Sequence, residues 1–263
     1  MGLVPLHTWL PDAHSQAPSP VSALLSGALL NCALLAVMRV YQVCLASGDS
    51  DFARSMLVVL GFFTVAIATA FLIRQGDYKR LLAYSSVENM GVVCLGLGLG
   101  GAATYGALLQ ALNHSACKAG LFLLAGNVLR EYATTQTAAV RGVWRRMPLS
   151  GALLMALVLA IGGTPPFGPF WSKFIIFRAA LDGPHGWLGV GFAVLVSLAF
   201  LGMASTILPM LQGGEPSQGG REAILTTAMP LAFALVALGL GIALPTALSD
   251  ALRHAAAAVG GMP

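Results

Sequence analysis

The apolar run from Leu108 to Val128 reads LLQALNHSACKAGLFLLAGNV, and within it Gln110, His114 and Lys118 recur every fourth residue. On an α-helix this spacing stacks the three on one face, about 6 Å apart along the axis. Asn113 and Cys117 flank the stripe, and the opposite face is Leu, Phe and Ala. Titratable groups so placed suit a proton relay in which one water bridges each pair. Imidazole titrates near neutrality, and desolvation brings an amine within reach of the same range. A polar helix–helix contact would use Gln, Asn and His equally well. An ammonium with no acid partner is poor adhesive, which favours the relay.

Two further ionisable residues lie inside apolar runs. Glu88 stands in DYKRLLAYSSVENMG (Asp77 to Gly91), about two turns into a span whose first half also holds Tyr84, Ser85, Ser86 and Asn89. A charge at mid-bilayer costs at least about 2.5–3.5 kcal/mol, so such residues face a wet interior or a partner. Glu88 therefore either joins a proton path or pairs with a nearby base. Asp77, Lys79 and Arg80 ahead of it read as a solvated helix start. Lys173 follows TPPFGPFWS, a proline-broken stretch in the middle of a 34-residue apolar run, 148–181. An unwound segment beside a lysine suits a point where water or an ion reaches the interior. Snorkelling to the surface is the alternative, and it is difficult from mid-run.

The elements that must position these groups follow from composition. Hydrophobic residues make up 57% of the 263, charged residues 9%, and the mean hydropathy is +0.81. A soluble domain carries about a quarter charged residues, so this chain uses lipid as solvent. Seven apolar runs are long enough to cross a bilayer, near 18–43, 54–74, 81–99, 103–129, 148–181, 187–211 and 222–246. Each needs about 20 helical residues, and no alternating strand pattern of a barrel is present. The expected fold is all-α, a polytopic transmembrane helical bundle with one broken helix near 162–170. Residues 1–17 form a polar connector, 18–246 the bundle and 247–263 a tail.

Basic residues set the orientation. Arg74, Lys79, Arg80, Arg130, Arg141, Arg145, Arg146 and Arg221 share one side, against Arg39, Arg54, Arg178 and Arg253 on the other. The first side is assigned to the cytoplasm and the C-terminus to the outside. The basic balance belongs to these loops and gives no reason to expect nucleic acid.

The opening segment HTWLPDAHSQAPSPVS (His7 to Ser22) then lies at the cytoplasmic mouth, where His7, Asp12 and His14 are candidates for proton uptake. Capping and loop ordering would also explain Asp12. Their spacing does not place the three on one helical face, so a metal site is not expected there. Pro11, Pro18 and Pro20 end and restart helices, with Ser19 as N-cap of a span whose first turn holds Pro20. Cys32, Cys44, Cys94 and Cys117 show no metal-site spacing and read as packing thiols. No phosphate loop, dinucleotide fingerprint or catalytic triad signature appears.

HTWLPDAHSQAPSPVSALLSG, DYKRLLAYSS, NHSACKAGLFLLAGNV and TPPFGPFWSKF together resemble the proton-pumping antiporter-like membrane subunits. That family includes the large membrane subunits of respiratory complex I, the multi-subunit Na⁺/H⁺ antiporters, and membrane subunits of hydrogenase-4 and formate hydrogenlyase. The motifs run in family order over 7–246, and SSVEN, RRMP and PPFGPF lean towards the hydrogenase-4 branch, similar to its F subunit.

The resemblance implies an inverted-repeat bundle with about twice this number of helices and a mid-membrane chain of buried charges and waters. It makes His114 and Lys118 central relay residues and puts Lys173 on the second broken helix, where several relatives carry Glu. Asn31 falls where many complex I members carry a further lysine; an amide orients water but holds no proton. A lysine and its partner glutamate, present in relatives, would precede Met1. The chain is thus expected to be a C-terminal half, either a fragment or a half-length subunit that pairs with a separate N-terminal half.

The implied setting is the plasma membrane. Implied partners are other membrane subunits of a multi-subunit redox or antiporter complex, whose flavin, Fe–S or Ni–Fe centres would sit in other chains. No cofactor of its own is implied. The alternatives are a non-conducting structural or assembly subunit and a Na⁺/H⁺ antiporter subunit.

Overall fold

The computed structural model describes residues 1–183, 186–213, 222 and 224–260, and among them every regular element is helical. In chain order they are α1 (Trp9–Gln16), α2 (Ser19–Leu24), a π-helical turn (Leu25–Leu29), α3 (Leu30–Ser47), α4 (Ser50–Leu72), α5 (Tyr78–Leu99) and α6 (Ala102–Tyr132). A 3₁₀ turn (Thr137–Ala139) leads to α7 (Val143–Arg146), α8 (Pro148–Gly162), α9 (Gly168–Asp182), α10 (Trp187–Leu211), α11 (Ile224–Ile242) and α12 (Thr246–Ala258). The molecule is a polytopic transmembrane bundle.

Among the described residues, five helices are long and apolar enough to cross a bilayer: Ser19–Ser47 (α2, the π turn and α3 read as one), Ser50–Leu72, Tyr78–Leu99, Trp187–Leu211 and Ile224–Ile242. Two other parts of the bundle differ in kind. At 31 residues α6 is longer than any of these, but it carries the polar stripe. The run 148–181 is divided into two 15-residue helices, α8 and α9.

Chemistry explains the division. Gly163 ends α8 with φ 90°, a left-handed backbone that favours glycine. Pro165 and Pro166 lack the N–H groups a helix would need there. Pro169 sits in the first turn of α9, where the missing donor has no intrahelical partner to lose. At its other end α8 has no side-chain cap of its own; instead the Glu222 carboxylate accepts from Leu149 N and Ser150 N, both at 2.9 Å.

Helices α5 and α6 form the centre, with α4, α9, α11 and α2 packed around them. From Tyr78 to Gly98 every residue of α5 except Arg80 is buried. Close approach of α4 depends on glycine: a Cβ on Gly61 would lie 2.5 Å from Leu95 N, and one on Gly91 2.9 Å from Gly61 O. Backbones this near are the usual device of helix association in lipid, where burial of apolar surface gives no drive.

Four local expectations change. The connector 1–17 is partly helical: α1 accommodates Pro11 because it is the third helical residue and its N–H would have no intrahelical partner. Ser19 is the first helical residue rather than the N-cap; Pro18 holds that place in extended conformation (ψ 143°). Lys79 is not solvated but 2% exposed, its Nζ donating to Ala17 O at 2.6 Å. In the tail, α12 packs Ala256 and Val259 inward, and Gln42 and Arg54 donate to its end at Ala258 O and Gly260 O. Arg221 lies outside the described residues.

Candidate functional site: a buried polar seam

Three helices supply the site. On α5, one turn places Ser85, Glu88 and Asn89 side by side; on α6, Gln110, Asn113, His114 and Lys118 lie within two and a half turns; on α9, Ser172 and Lys173 follow the break. The restart at Gly168 brings α9 close, because a Cβ there would overlap Asn113 Oδ1. All of these residues are buried, Gln110, Asn113, His114 and Lys118 at 0% exposure.

Polar contacts join all of them except His114. Lys118 Nζ donates to Leu82 O at 2.6 Å and to Ser85 Oγ. The Ser85 carbonyl accepts from Asn89 Nδ2 at 2.7 Å, and the same amide donates to Glu88 Oε2. Glu88 Oε1 pairs with Lys173 Nζ at 3.4 Å. Lys173 also donates to Ile161 O at 3.0 Å, a carbonyl left open where α8 ends. A branch runs from Asn89 Oδ1 to Gln110 Nε2 (2.6 Å), from Gln110 Oε1 to Ser172 Oγ, and from Ser172 Oγ to Asn113 Nδ2 (3.3 Å).

Charge in the seam is unbalanced. Among the described residues Glu88 is the one carboxylate for the two ammonium groups of the seam, and it contacts Lys173; Lys118 rests on neutral oxygens. Of the two sequence alternatives for Glu88, pairing with a base is what the geometry displays, and that base lies within the same seam. Lys173 is 6% exposed and does not snorkel. His114 lies one helical turn from both Gln110 and Lys118. Neither of its ring nitrogens has a hydrogen-bond partner among the described residues, and both are available to a bridging water.

Asn31 meets this centre from the other side. Its Nδ2, two residues past the π turn, donates to Ser115 Oγ at 2.7 Å. Ser26, inside the π turn, bonds Ser86 of α5 at 2.9 Å. The uptake candidates diverge. Asp12 is exposed and paired with Arg80 at 2.8 Å. His14 is buried, its ring stacked on Phe122 at 5.0 Å, with Phe122 one turn along α6 from Lys118. His7 is buried near Phe71, ring centroids 6.4 Å apart, and reaches no seam residue by hydrogen bond. Among the described residues no group of His, Cys, Asp and Glu has metal-holding geometry, and Cys32, Cys44, Cys94 and Cys117 are free thiols.

Residues 1–202 match the family described as NADH:quinone oxidoreductase/Mrp antiporter, TM. The chain belongs to this family. Among its relatives is a hydrogenase-4 component F homolog of Methylacidiphilum infernorum (isolate V4), 35% identical over 256 residues, covering 97% of this chain and 53% of the relative. Among solved structures, the archaeal membrane-bound sulfane sulfur reductase superposes with a TM-score of 0.89 at 26% identity, over 98% of this chain and 53% of its own. Respiratory complex I from Thermus thermophilus gives a TM-score of 0.84 at 27% identity, over 98% and 56%. The chain spans about half the length of these relatives.

Two seam residues, Ser172 and Asn89, and one buried lysine outside the seam, Lys79, take places that their local sequence does not announce. Ser172, which has no role in the sequence pattern, links Gln110 to Asn113. Asn89 was read only as part of a polar half-span, yet it binds Glu88, Ser85 and Gln110. Lys79 was read as solvated. The available signal for Asn89 and Lys79 was the low apolar content of 77–91, which marks a helix shielded from lipid on every side.

Proposed function

We propose that this chain is a proton-translocating module of a membrane-bound redox or antiporter complex, passing protons through Lys118, His114, Glu88 and Lys173. The carrying observation is the buried line of polar contacts from Lys118 to the Ser85 hydroxyl, and from the Ser85 carbonyl through Asn89 to the Glu88–Lys173 pair. One carboxylate serves two amines, so a proton and the carboxylate's allegiance can move together: whichever lysine lacks the acid partner is the one able to release its proton. His114, with two open ring nitrogens, is the station for water between α6 donors. Gln110 and Asn113 fix the side chains around it. His14, buried against Phe122, and Asp12 and His7 at the same end form the uptake side.

In this proposal the Arg130 and Arg145 end lies in the cytoplasm and the C-terminus outside, in the plasma membrane. The partners are other membrane subunits and a segment completing the family's length. The relatives' names, a hydrogenase-4 component and complexes of respiration, support a redox partner as the driving unit.

The test is proton uptake by inverted vesicles carrying the assembled complex. Lys118→Ala lowers uptake by roughly 10²-fold while electron transfer by the redox subunits continues. Uptake at the wild-type rate would sink the relay. Replacing Na⁺ by choline leaves the wild-type signal unchanged if protons are the cargo. A second reading, a non-conducting structural subunit, draws on Asn31, a neutral amide bonded to Ser115 at the position where the resemblance implies a lysine in many complex I members. Under that reading neither Lys118→Ala nor Lys173→Ala changes flux.

A further inference from the structure

Away from the seam, a cleft of about 320 Å³ opens between α2, α6 and α11. Its polar mouth is formed by Ser19, Asn127, Arg130 and Thr226. Arg130 is exposed at the end of α6, and no carboxylate lies within ion-pair distance of it among the described residues. Its contact inside the cleft is a long one, Nη2 to Thr226 Oγ1 at 3.4 Å. Such a guanidinium has donors to spare.

Two helix starts face the same space. The first turn of α11, beginning at Ile224, brings Leu225 and Thr226 to the cleft, and first-turn amides need acceptors from outside the helix. Ser19, at the start of the continuous helix 19–47, is 6% exposed and its Oγ has no hydrogen-bond partner among the described residues. Across from it stands Gly126, where a Cβ would come within 2.7 Å of Ser19 Cβ and 3.1 Å of its Oγ. A side chain larger than glycine at that point would fill the space in front of the unpartnered hydroxyl.

The rest of the wall is apolar. Leu225 and Met229, 89% and 63% exposed, carry the cleft out onto the lipid-facing side of α11. A cationic mouth with hydroxyl and amide donors, continued by an apolar flank, has the polarity profile of a phospholipid. A soluble anion would use the mouth alone.

We propose that this cleft binds the phosphate headgroup of an anionic phospholipid, held by Arg130, Ser19 and the second N–H of Asn127, whose Nδ2 also donates to Thr226 O at 3.0 Å, with an acyl chain lying along Leu225 and Met229. The site stands whether or not the seam conducts.

The experiment is native mass spectrometry of the assembled complex, reconstituted in nanodiscs of phosphatidylglycerol mixed with phosphatidylcholine. The wild type retains phosphatidylglycerol; Arg130→Ala retains about tenfold less, and Arg130→Lys, which keeps the charge, retains an intermediate amount. Ser19→Ala gives a smaller loss at unchanged assembly. Retention of phosphatidylcholine is equal in all four, which separates a lost site from a misfolded protein. Equal phosphatidylglycerol retention in wild type and Arg130→Ala overturns the proposal. So does displacement of the lipid by excess inorganic phosphate, which would make this a site for a soluble anion.

Discussion

Helices α5 and α10 are of similar length, 22 and 25 residues, and both are long and apolar enough to span a bilayer. Their surroundings are opposite. The most apolar 18-residue stretch of α5 is 100% buried inside the protein, that of α10 only 28%. The less apolar helix is thus the better buried, the reverse of a water-soluble fold. In lipid, an apolar side chain is equally at home outside, so Val190, Val194, Leu198 and Leu201 of α10 form an outward stripe at helical spacing. Polar groups are what the interior must collect, and α5 brings Ser85, Glu88 and Asn89 where α6 and α9 can satisfy them.

That contrast can be broken at three depths. Removing the carboxylate of the seam has the largest expected effect: Glu88→Ala strands a buried ammonium and destabilises the protein by about 3–5 kcal/mol. Unfolding of the purified complex in mixed micelles checks this, and the double variant Glu88→Ala/Lys173→Met recovers most of the loss. If the single variant is as stable as wild type, the seam is wet enough to hydrate Lys173 alone.

An intermediate effect is expected where the two kinds of helix meet. Gly91→Ala puts a methyl 2.9 Å from both Gly61 O and Val65 N, so α4 and α5 must separate. The cost is about 1–3 kcal/mol, read from the same unfolding curves, and an unchanged midpoint would mean that the α4–α5 contact is slack. The smallest change belongs to the lipid face. Leu201→Ala on α10, at a position 59% exposed, shifts stability by no more than about 0.5 kcal/mol. A loss comparable to that of Gly91→Ala would place a protein partner, not lipid, against α10.

Much of the architecture was legible because bilayer thickness and helix geometry act on single runs of sequence. The break between α8 and α9 was readable from Gly163, Pro165 and Pro166, whose effects are local. The Gln110–His114–Lys118 stripe was readable because a helix converts spacing into a face. What joins the seam was not. Glu88 and Lys173 are 85 positions apart, and no periodicity within either helix tells which base meets which acid. Lys79 misled for the same reason: beside Asp77 and Arg80 it has the local look of a headgroup residue. It is covered by the C-terminal end of α1, where it donates to Ala17 O, a contact between segments 62 positions apart.

The interruption after Gly162 has one more consequence. A helix end concentrates partial negative charge on its last carbonyls, and Lys173 Nζ sits on one of them, Ile161 O. Part of the solvation of that ammonium is therefore built into the backbone and stays when a side-chain partner turns away. When the Glu88 carboxylate is neutralised the ammonium keeps this carbonyl, so part of its stabilisation survives and part is lost. The two glycines and two prolines that stop α8 thus supply a fixed dielectric cushion, which flattens the energy difference between the charge states of its neighbour.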